Sequence, residues 1–356
     1  MDNYSFMVEI IFGKEEVGIV KRRIFITAII GSLFCCLSGC QHKTSENYNI
    51  MLNSKSDVLP IYAENAKEIS NKTFDLASLE DIDAGYSVEE LENVDEPNGI
   101  ICLEDSIMIS DKASDAIIQM DYSGNLIKKI GKTGNGEGEF LSPGAIKEYN
   151  HEIYVLDQGN NRVQIFDEQL NYVDKVDLIN KKINDPDYVP QKMAVNEEGI
   201  YVTGMSLKEA VIDKYSNGDE EEIGANFIGS IASYQSEIYG INSMVRFYDK
   251  KNDSFGAVTT APEWLLSVSG NKLKKVSELP YGFGITDFLI EDKKIICISG
   301  SGASVYSLGW NGEYKETLAI ISGLENEENP QIDENNQGEY FIVMPKAKKI
   351  YRIYKK

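Results

Sequence analysis

The feature that most constrains this chain is a unit that returns about every 45 residues. A polar turn followed by a short β-branched or aromatic run begins its run at Ile107, Ile153, Ile200, Ile238, Ile295 and Tyr340, so successive starts lie 46, 47, 38, 57 and 45 residues apart. The turns are Glu104-Asp105-Ser106, His151-Glu152, Glu197-Glu198-Gly199, Ser236-Glu237, Asp292-Lys293-Lys294 and Gln337-Gly338-Glu339. One such unit cannot bury its own apolar face, so its copies must stack. A period near 45 built from short strands is that of propeller blades, each a four-stranded antiparallel sheet.

A second periodic signal agrees. Ser123-Gly124-Asn125, Ser216-Asn217-Gly218, Ser269-Gly270-Asn271 and Asn311-Gly312 each separate two β-rich runs. Gly and Asn there supply the positive φ of a tight outer hairpin. The expectation is an all-β, six-bladed propeller over residues 70–356. The last repeat stops one strand short, and an N-terminal run near Lys72 to Ala77, with Phe74 and Leu76 on one face, is expected to close it and remove the open seam. Blade four, Ala225 to Leu279, is long; Met244 to Thr260 reads as an inserted hairpin, with a degenerate seventh blade as the alternative.

Charge and composition then exclude whole classes. Lys+Arg number 35 against Asp+Glu 57 in 356 residues, a net charge of −22, which does not suit a phosphate-backbone binder, so no nucleic-acid partner is expected. The chain is 42% hydrophobic, too apolar for a disordered acidic segment. With His42 and His151 as its two histidines, it cannot build a multi-His zinc or catalytic cluster. The acidic runs Asp219 to Glu222 and Glu325 to Glu328 read as solvated loops.

The N-terminal segment speaks to location. Lys21-Arg22-Arg23 precedes the uncharged apolar run Ile24 to Leu37, which has the length of a signal-peptide core and falls short of a membrane span. Leu37-Ser38-Gly39-Cys40 follows and resembles a bacterial lipobox; the resemblance implies cleavage after residue 39 and a lipid on Cys40. Residues 1–19 fit no signal peptide and read as a mis-assigned start, with Lys14-Glu15-Glu16 translated from a ribosome-binding site. The segment before Cys40 holds four basic and four acidic residues, so the mature chain keeps all of the −22. Residues 40–69 are expected to tether the propeller to a membrane of the bacterial cell envelope, outside the cytoplasm. Cys102 and Cys297 lie in apolar runs and read as buried small hydrophobes, with a disulfide, which export permits, as the alternative.

Lys129 to Gly144 is a glycine-rich loop with Phe140 and Pro143-Gly144, and Tyr154-Val155-Leu156-Asp157-Gln158-Gly159-Asn160-Asn161-Arg162-Val163-Gln164-Ile165-Phe166 follows it. This segment resembles the NHL repeat, with Asp111 and Asp115 as a fainter echo one blade earlier. The resemblance implies an NHL-like six-bladed propeller lipoprotein of bacterial envelopes and specifies fold more than function. By it the Gly131 to Gly138 run is an inter-blade loop; no Gly-Lys-Ser/Thr follows at the offset a phosphate loop needs. Asp157, Asn160, Asn161 and Arg162 read as a structural motif, Asp157 and Arg162 as a salt bridge or a turn-capping pair.

A propeller binds where loops enter its inner strands. Those points fall at Asn98, Pro143, Gln191, Lys192, Tyr281, Phe283 and Asn329, with the two aromatic residues suited to stacking on a sugar or peptide. No catalytic set stands out, and His151 reads as a surface turn residue. The expectation is a non-catalytic binding protein whose partner is a glycan, a peptide or an envelope protein. A calcium-dependent hydrolase or lactonase of the six-bladed type, with Ca2+ held by channel oxygen ligands, and an envelope scaffold are the alternatives.

Overall fold

The computed structural model describes residues 48–50, 85–178, 185–206, 210–225, 227–249, 254–270, 272–279, 284–299, 304–321 and 329–356. Cys40, the segment Lys72 to Ala77, Tyr281 and Phe283 lie outside the described residues. Six antiparallel sheets make a ring of six blades, each with four strands running from the inner wall to the rim. The short strand β1 (Tyr48–Ile50) adds a fifth to one of them.

Blade one is β3 (Pro97–Cys102), β4 (Ser106–Asp111), β5 (Ala116–Asp121) and β6 (Leu126–Ile130). Blade two is β7 (Pro143–Tyr149), β8 (Glu152–Asp157), β9 (Arg162–Asp167) and β10 (Tyr172–Asp177). Blade three is β11 (Val189–Asn196), β12 (Gly199–Met205), β13 (Ala210–Ser216) and β14 (Asp219–Ala225). Blade four is β15 (Ile228–Tyr234), β16 (Glu237–Asp249), β17 (Ser254–Ser269) and β18 (Lys272–Leu279). Blade five is β19 (Ile285–Glu291), β20 (Lys294–Ser299), β21 (Ser304–Gly309) and β22 (Tyr314–Ile320). Blade six is β23 (Gln331–Glu334), β24 (Tyr340–Met344) and β25 (Lys349–Lys355), with β2 (Tyr86–Leu91) as its rim strand.

Every repeat start read from the sequence is the second strand of a blade, and the Gly/Asn turns are outer hairpins with Gly124, Asn217, Gly218, Gly270 and Gly312 at positive φ. The N-terminal closing strand exists, but it is Tyr86–Leu91 and not Lys72 to Ala77. It pairs antiparallel with β25, Tyr86 opposite Lys355 and Leu91 opposite Ile350. The shift has a physical reason. A rim strand shows solvent on most of its length, so Ser87-Val88-Glu89-Glu90 lacks the apolar alternation that marks an inner strand, and Leu91 alone is buried. Blade four holds no seventh blade. Its middle strands simply run on, Met244 pairing with Thr259 and Asp249 with Ser254, and β1 lies along the extension with Tyr48 opposite Asp249.

Among the described residues the core is divided into seven apolar clusters, one large cluster in each of the six seams and a small one of Ala210 and Ile228 that shares the seam of blades three and four. Ile101, Met108, Phe140, Val155 and Phe166 fill the seam of blades one and two. Leu91, Ile100, Ile109, Phe341 and Ile350 fill the seam where the two chain ends meet. Full burial of each such side chain contributes roughly 1.5–3 kcal/mol before conformational entropy is charged. Several tyrosines (Tyr154, Tyr201, Tyr239, Tyr340) belong to these seams, as expected of a chain with 20 of them. Cys102 and Cys297 are free thiols in different seams, and burial raises both well above the usual thiol range.

Candidate functional site

Successive strands in each blade are antiparallel, so the loops leading into inner strands and the loops joining second to third strands emerge together. They form the top face, and the remaining turns form the bottom face. The long β16–β17 hairpin rises from the top face beside the channel mouth.

At that mouth the inner strands are bolted to each other by side chains that reach backbone carbonyls. Asn98 donates to the Pro143 carbonyl at 3.0 Å, Gln158 to the Pro190 carbonyl at 2.8 Å, and Lys192 to the Pro330 carbonyl at 2.7 Å. Proline suits the start of an inner strand because it has no amide to leave unpaired, while its carbonyl still accepts. The Lys192 bond joins blade three to blade six, so its side chain spans the channel. Its ammonium also lies 3.6 Å from Asp287 of blade five, both side chains being only 7% exposed. Asp287 accepts in addition from the Ser230 hydroxyl of blade four and from the Ile332 amide at 3.0 Å. Burial pulls Lys192 down to about 8 against the opposing attraction of Asp287. Four blades therefore converge on one buried ion pair, and Gln331 ties blade six to the Asn98 carbonyl at 2.8 Å.

Blades one and two approach closely at the same level. The Gly99 amide donates to Ser110 and the Ser110 hydroxyl to the Gly144 carbonyl, each at 2.7 Å. A Cβ on Gly99 would sit 2.2 Å from that carbonyl, so the contact demands glycine.

Deeper in the channel lies a second tier. The Asp333 carboxylate of blade six accepts from the Cys102 amide of blade one at 2.8 Å, and Lys147 of blade two acts electrostatically on Asp333, Cys102 and Lys192. Burial raises the Asp333 carboxyl despite Lys147. Toward the bottom face, burial followed by the charges of Glu291 and Asp333 pushes Glu334 up to about 7.

The repeat motif of blade two is structural. Arg162 binds Asp157 at 2.9 Å and forks onto the Asn135, Gly136 and Glu139 carbonyls at 2.8–2.9 Å. Asn160 reaches the Gly134 carbonyl and Asp157, and Asn161 takes a left-handed turn at φ 50°. Asp115 fastens the same loop from blade one through the Ser142 amide and the Thr133 hydroxyl, both at 2.7 Å. The glycine-rich loop thus spends its carbonyls on an arginine and presents no amide cradle to a phosphate. His151 stands on the bottom face, 81% exposed, 2.6 Å from Glu168.

Of the residues picked from sequence, the structure brings Asn98, Pro143, Gln191, Lys192 and Asn329 to the top of the channel. Asn98, Pro143 and Lys192 are buried bolts, while Gln191 and Asn329 are half-exposed. Gln158, Ser230, Asp287, Gln331, Lys147 and Asp333 were not legible as a set. The available signal was the recurrent proline at inner-strand starts, whose carbonyls the bolts address.

These donors do not fit a calcium centre. Such a centre wants several oxygen ligands free to converge. Here Asp287 is committed to an ammonium, a hydroxyl and an amide, and the Lys192 charge occupies the ground a cation would need. Among the described residues no group of three or more His, Cys, Asp and Glu could hold a metal ion.

A family model described as a 6-bladed beta-propeller matches residues 89–255. Among solved structures the chain is similar to a streptogramin B lyase, at 14% identity over 75% of this chain and 97% of that one, TM-score 0.50. It is similar to a gluconolactonase from Xanthomonas campestris, at 9% identity over 80% and 94%, TM-score 0.51. It is similar to a protein of unknown function from Bacteroides thetaiotaomicron, at 14% identity over 75% and 72%, TM-score 0.50. No curated protein matches. At such identities the likeness is one of fold, and the lyase and lactonase activities belong to those proteins.

Proposed function

We propose that this protein is a lipid-anchored, extracytoplasmic propeller of NHL type that binds a ligand or a protein partner without catalysis. The observation that carries the reading is the commitment of the mouth carboxylate: Asp287 is consumed by Lys192, Ser230 and the Ile332 amide, so it is not poised as a base or a metal ligand. The second buried carboxyl at that end, Glu263, gives one oxygen to the Ile285 amide at 2.8 Å, and burial pushes it up to about 8, which keeps it protonated near neutrality. The Leu37-Ser38-Gly39-Cys40 box supports the anchor, and the acidic balance supports a disc exposed to solvent.

The test combines calorimetry with product analysis on the mature protein. Calcium, glycans and peptides are titrated singly, and lactone and ester substrates are followed by chromatography. Binding of a glycan or peptide with no turnover and no calcium-induced rise in melting temperature is expected. Calcium stabilisation together with lactone hydrolysis would overturn the reading in favour of the hydrolase. Cys40→Ala is expected to move the protein from the membrane to the soluble fraction; retention in the membrane would overturn the anchor alone.

A further inference from the structure

The short strand β1 stands apart from the blade repeat. It pairs antiparallel with the extended part of β16, Tyr48 opposite Asp249, Asn49 opposite Tyr248 and Ile50 opposite Phe247. The inner strand β15 pairs with β16 lower down, with Ile228 opposite Met244 at its upper end, and β17 takes the other edge of β16. β1 therefore continues the line of β15 on the inner-strand edge of the hairpin. There it gives the two-stranded extension a third strand and pairs backbone groups that the edge would otherwise leave to water.

The direction of β1 matters as much as its place. Asp249 is the last residue of β16, so Tyr48 lies toward the hairpin tip and Ile50 lies nearer the disc. The chain enters from beyond the tip and runs down toward the channel mouth. Cys40 is eight residues before Tyr48, and eight extended residues span at most about 29 Å. Without β1 the first fixed strand would be β2, whose Tyr86 lies at the bottom of blade six, 46 residues after Cys40. A leash of that length spans up to about 150 Å and leaves either face able to meet a membrane. The bottom turns between inner and second strands hold Glu104, Asp105, Glu197, Glu198, Asp292 and Glu339 against Lys293, so that face suits an anionic bilayer poorly.

We propose that β1 is a fixed joint between the lipid on Cys40 and the propeller, and that it turns the top face toward the bilayer. The hairpin tip is then the part nearest the lipid, the bolted mouth lies behind it, and the acidic bottom face points away. The surface that meets lipid is the top face, and soluble partners arrive at the bottom. The inference rests on the lipid anchor in the reading above and adds the orientation that β1 imposes on it.

The test is energy transfer from a dye on the mature, lipidated protein to acceptor lipids in phosphatidylethanolamine–phosphatidylglycerol vesicles. Two labelling sites on blade two compare the faces: Glu137→Cys, exposed in the top loop that leads into β7, and His151→Cys, exposed at the bottom. Wild-type protein treated alike gives the background from Cys102 and Cys297. The faces stand one inner strand apart, about 20 Å, so transfer from Glu137→Cys is expected to exceed that from His151→Cys about twofold. Tyr48→Pro, Asn49→Pro and Ile50→Pro together remove every amide of β1. That variant should stay in the membrane fraction, keep its melting temperature and lose the difference between the two sites. Equal transfer from both sites, stronger transfer from His151→Cys, or a difference that survives the proline variant would overturn the joint alone. Absence of the wild-type protein from the membrane fraction would overturn the anchor and the joint with it, so the two failures are distinguishable.

Discussion

Lys192–Asp287 and Lys147–Asp333 use the same residue types on neighbouring inner strands, the lysines on blades three and two and the aspartates on blades five and six. At the top, the pair touches and is extended by a hydroxyl, an amide and a proline carbonyl until every blade from three to six is engaged. Lower down, among the described residues, the lysine makes no hydrogen bond or ion pair and the aspartate accepts from the Cys102 and Glu334 amides. The difference teaches that charge in a propeller channel has no single meaning. A pair whose valences are filled by the ring fixes the geometry of the ring, whereas charges that do not pair leave that geometry to the backbone. Desolvation already outweighs attraction at Lys192, as its lowered pKa reports, so the upper pair is retained for register more than for net stability.

The comparison can be broken at its stronger end first. Lys192→Met leaves Asp287 buried with two neutral donors and is expected to cost about 3–5 kcal/mol in denaturant unfolding. A cost near zero would mean that the bolt carries nothing. Comparable in size is Glu263, a buried carboxyl at the root of the long hairpin with one oxygen lacking a hydrogen-bond partner. Its folded pKa is raised to about 8 from 4.5, so the folded state holds a proton that the unfolded chain releases. This group's contribution to stability therefore falls as pH rises from about 4.5 to about 8 and is flat beyond. Glu263→Gln should remove that slope, on the order of 5 kcal/mol across the window. An unchanged pH profile would contradict the burial argument.

Arg162 offers a bolt of a different kind, outside the channel. Arg162→Lys keeps the charge and loses the fork to three loop carbonyls, with an expected cost of about 2–3 kcal/mol and faster amide exchange across residues 134–141. Lys147→Met should matter least, within about 1 kcal/mol, because among the described residues that ammonium makes no hydrogen bond or ion pair. A loss as large as that of Lys192→Met would show that the lower pair is structural too and erase the contrast.

Sequence reasoning succeeded where structure is periodic or locally self-contained. The second strands at Ile107, Ile153, Ile200, Ile238, Ile295 and Tyr340, and the Gly/Asn turns, are local signals repeated around the ring. The Asp157–Arg162 bridge lies within five residues and was readable for the same reason. The closing strand was misplaced because a rim strand with a solvated middle carries little apolar pattern. The channel set was unreadable because its members are brought together only by closure: Lys192 and Pro330 are 138 residues apart, and Gln331 and Asn98 are 233 apart. No spacing rule in one chain connects residues that meet only when the last blade returns to the first.

The central claim is that Lys192 and Asp287 act as one unit closing the mouth. A double-mutant cycle with Lys192→Met, Asp287→Asn and both together, read by equilibrium unfolding, tests it most directly. The account expects the double variant to regain much of what Lys192→Met loses, with a coupling of about 1–3 kcal/mol. Strictly additive losses would contradict it, because they would mean that the two side chains serve the fold independently.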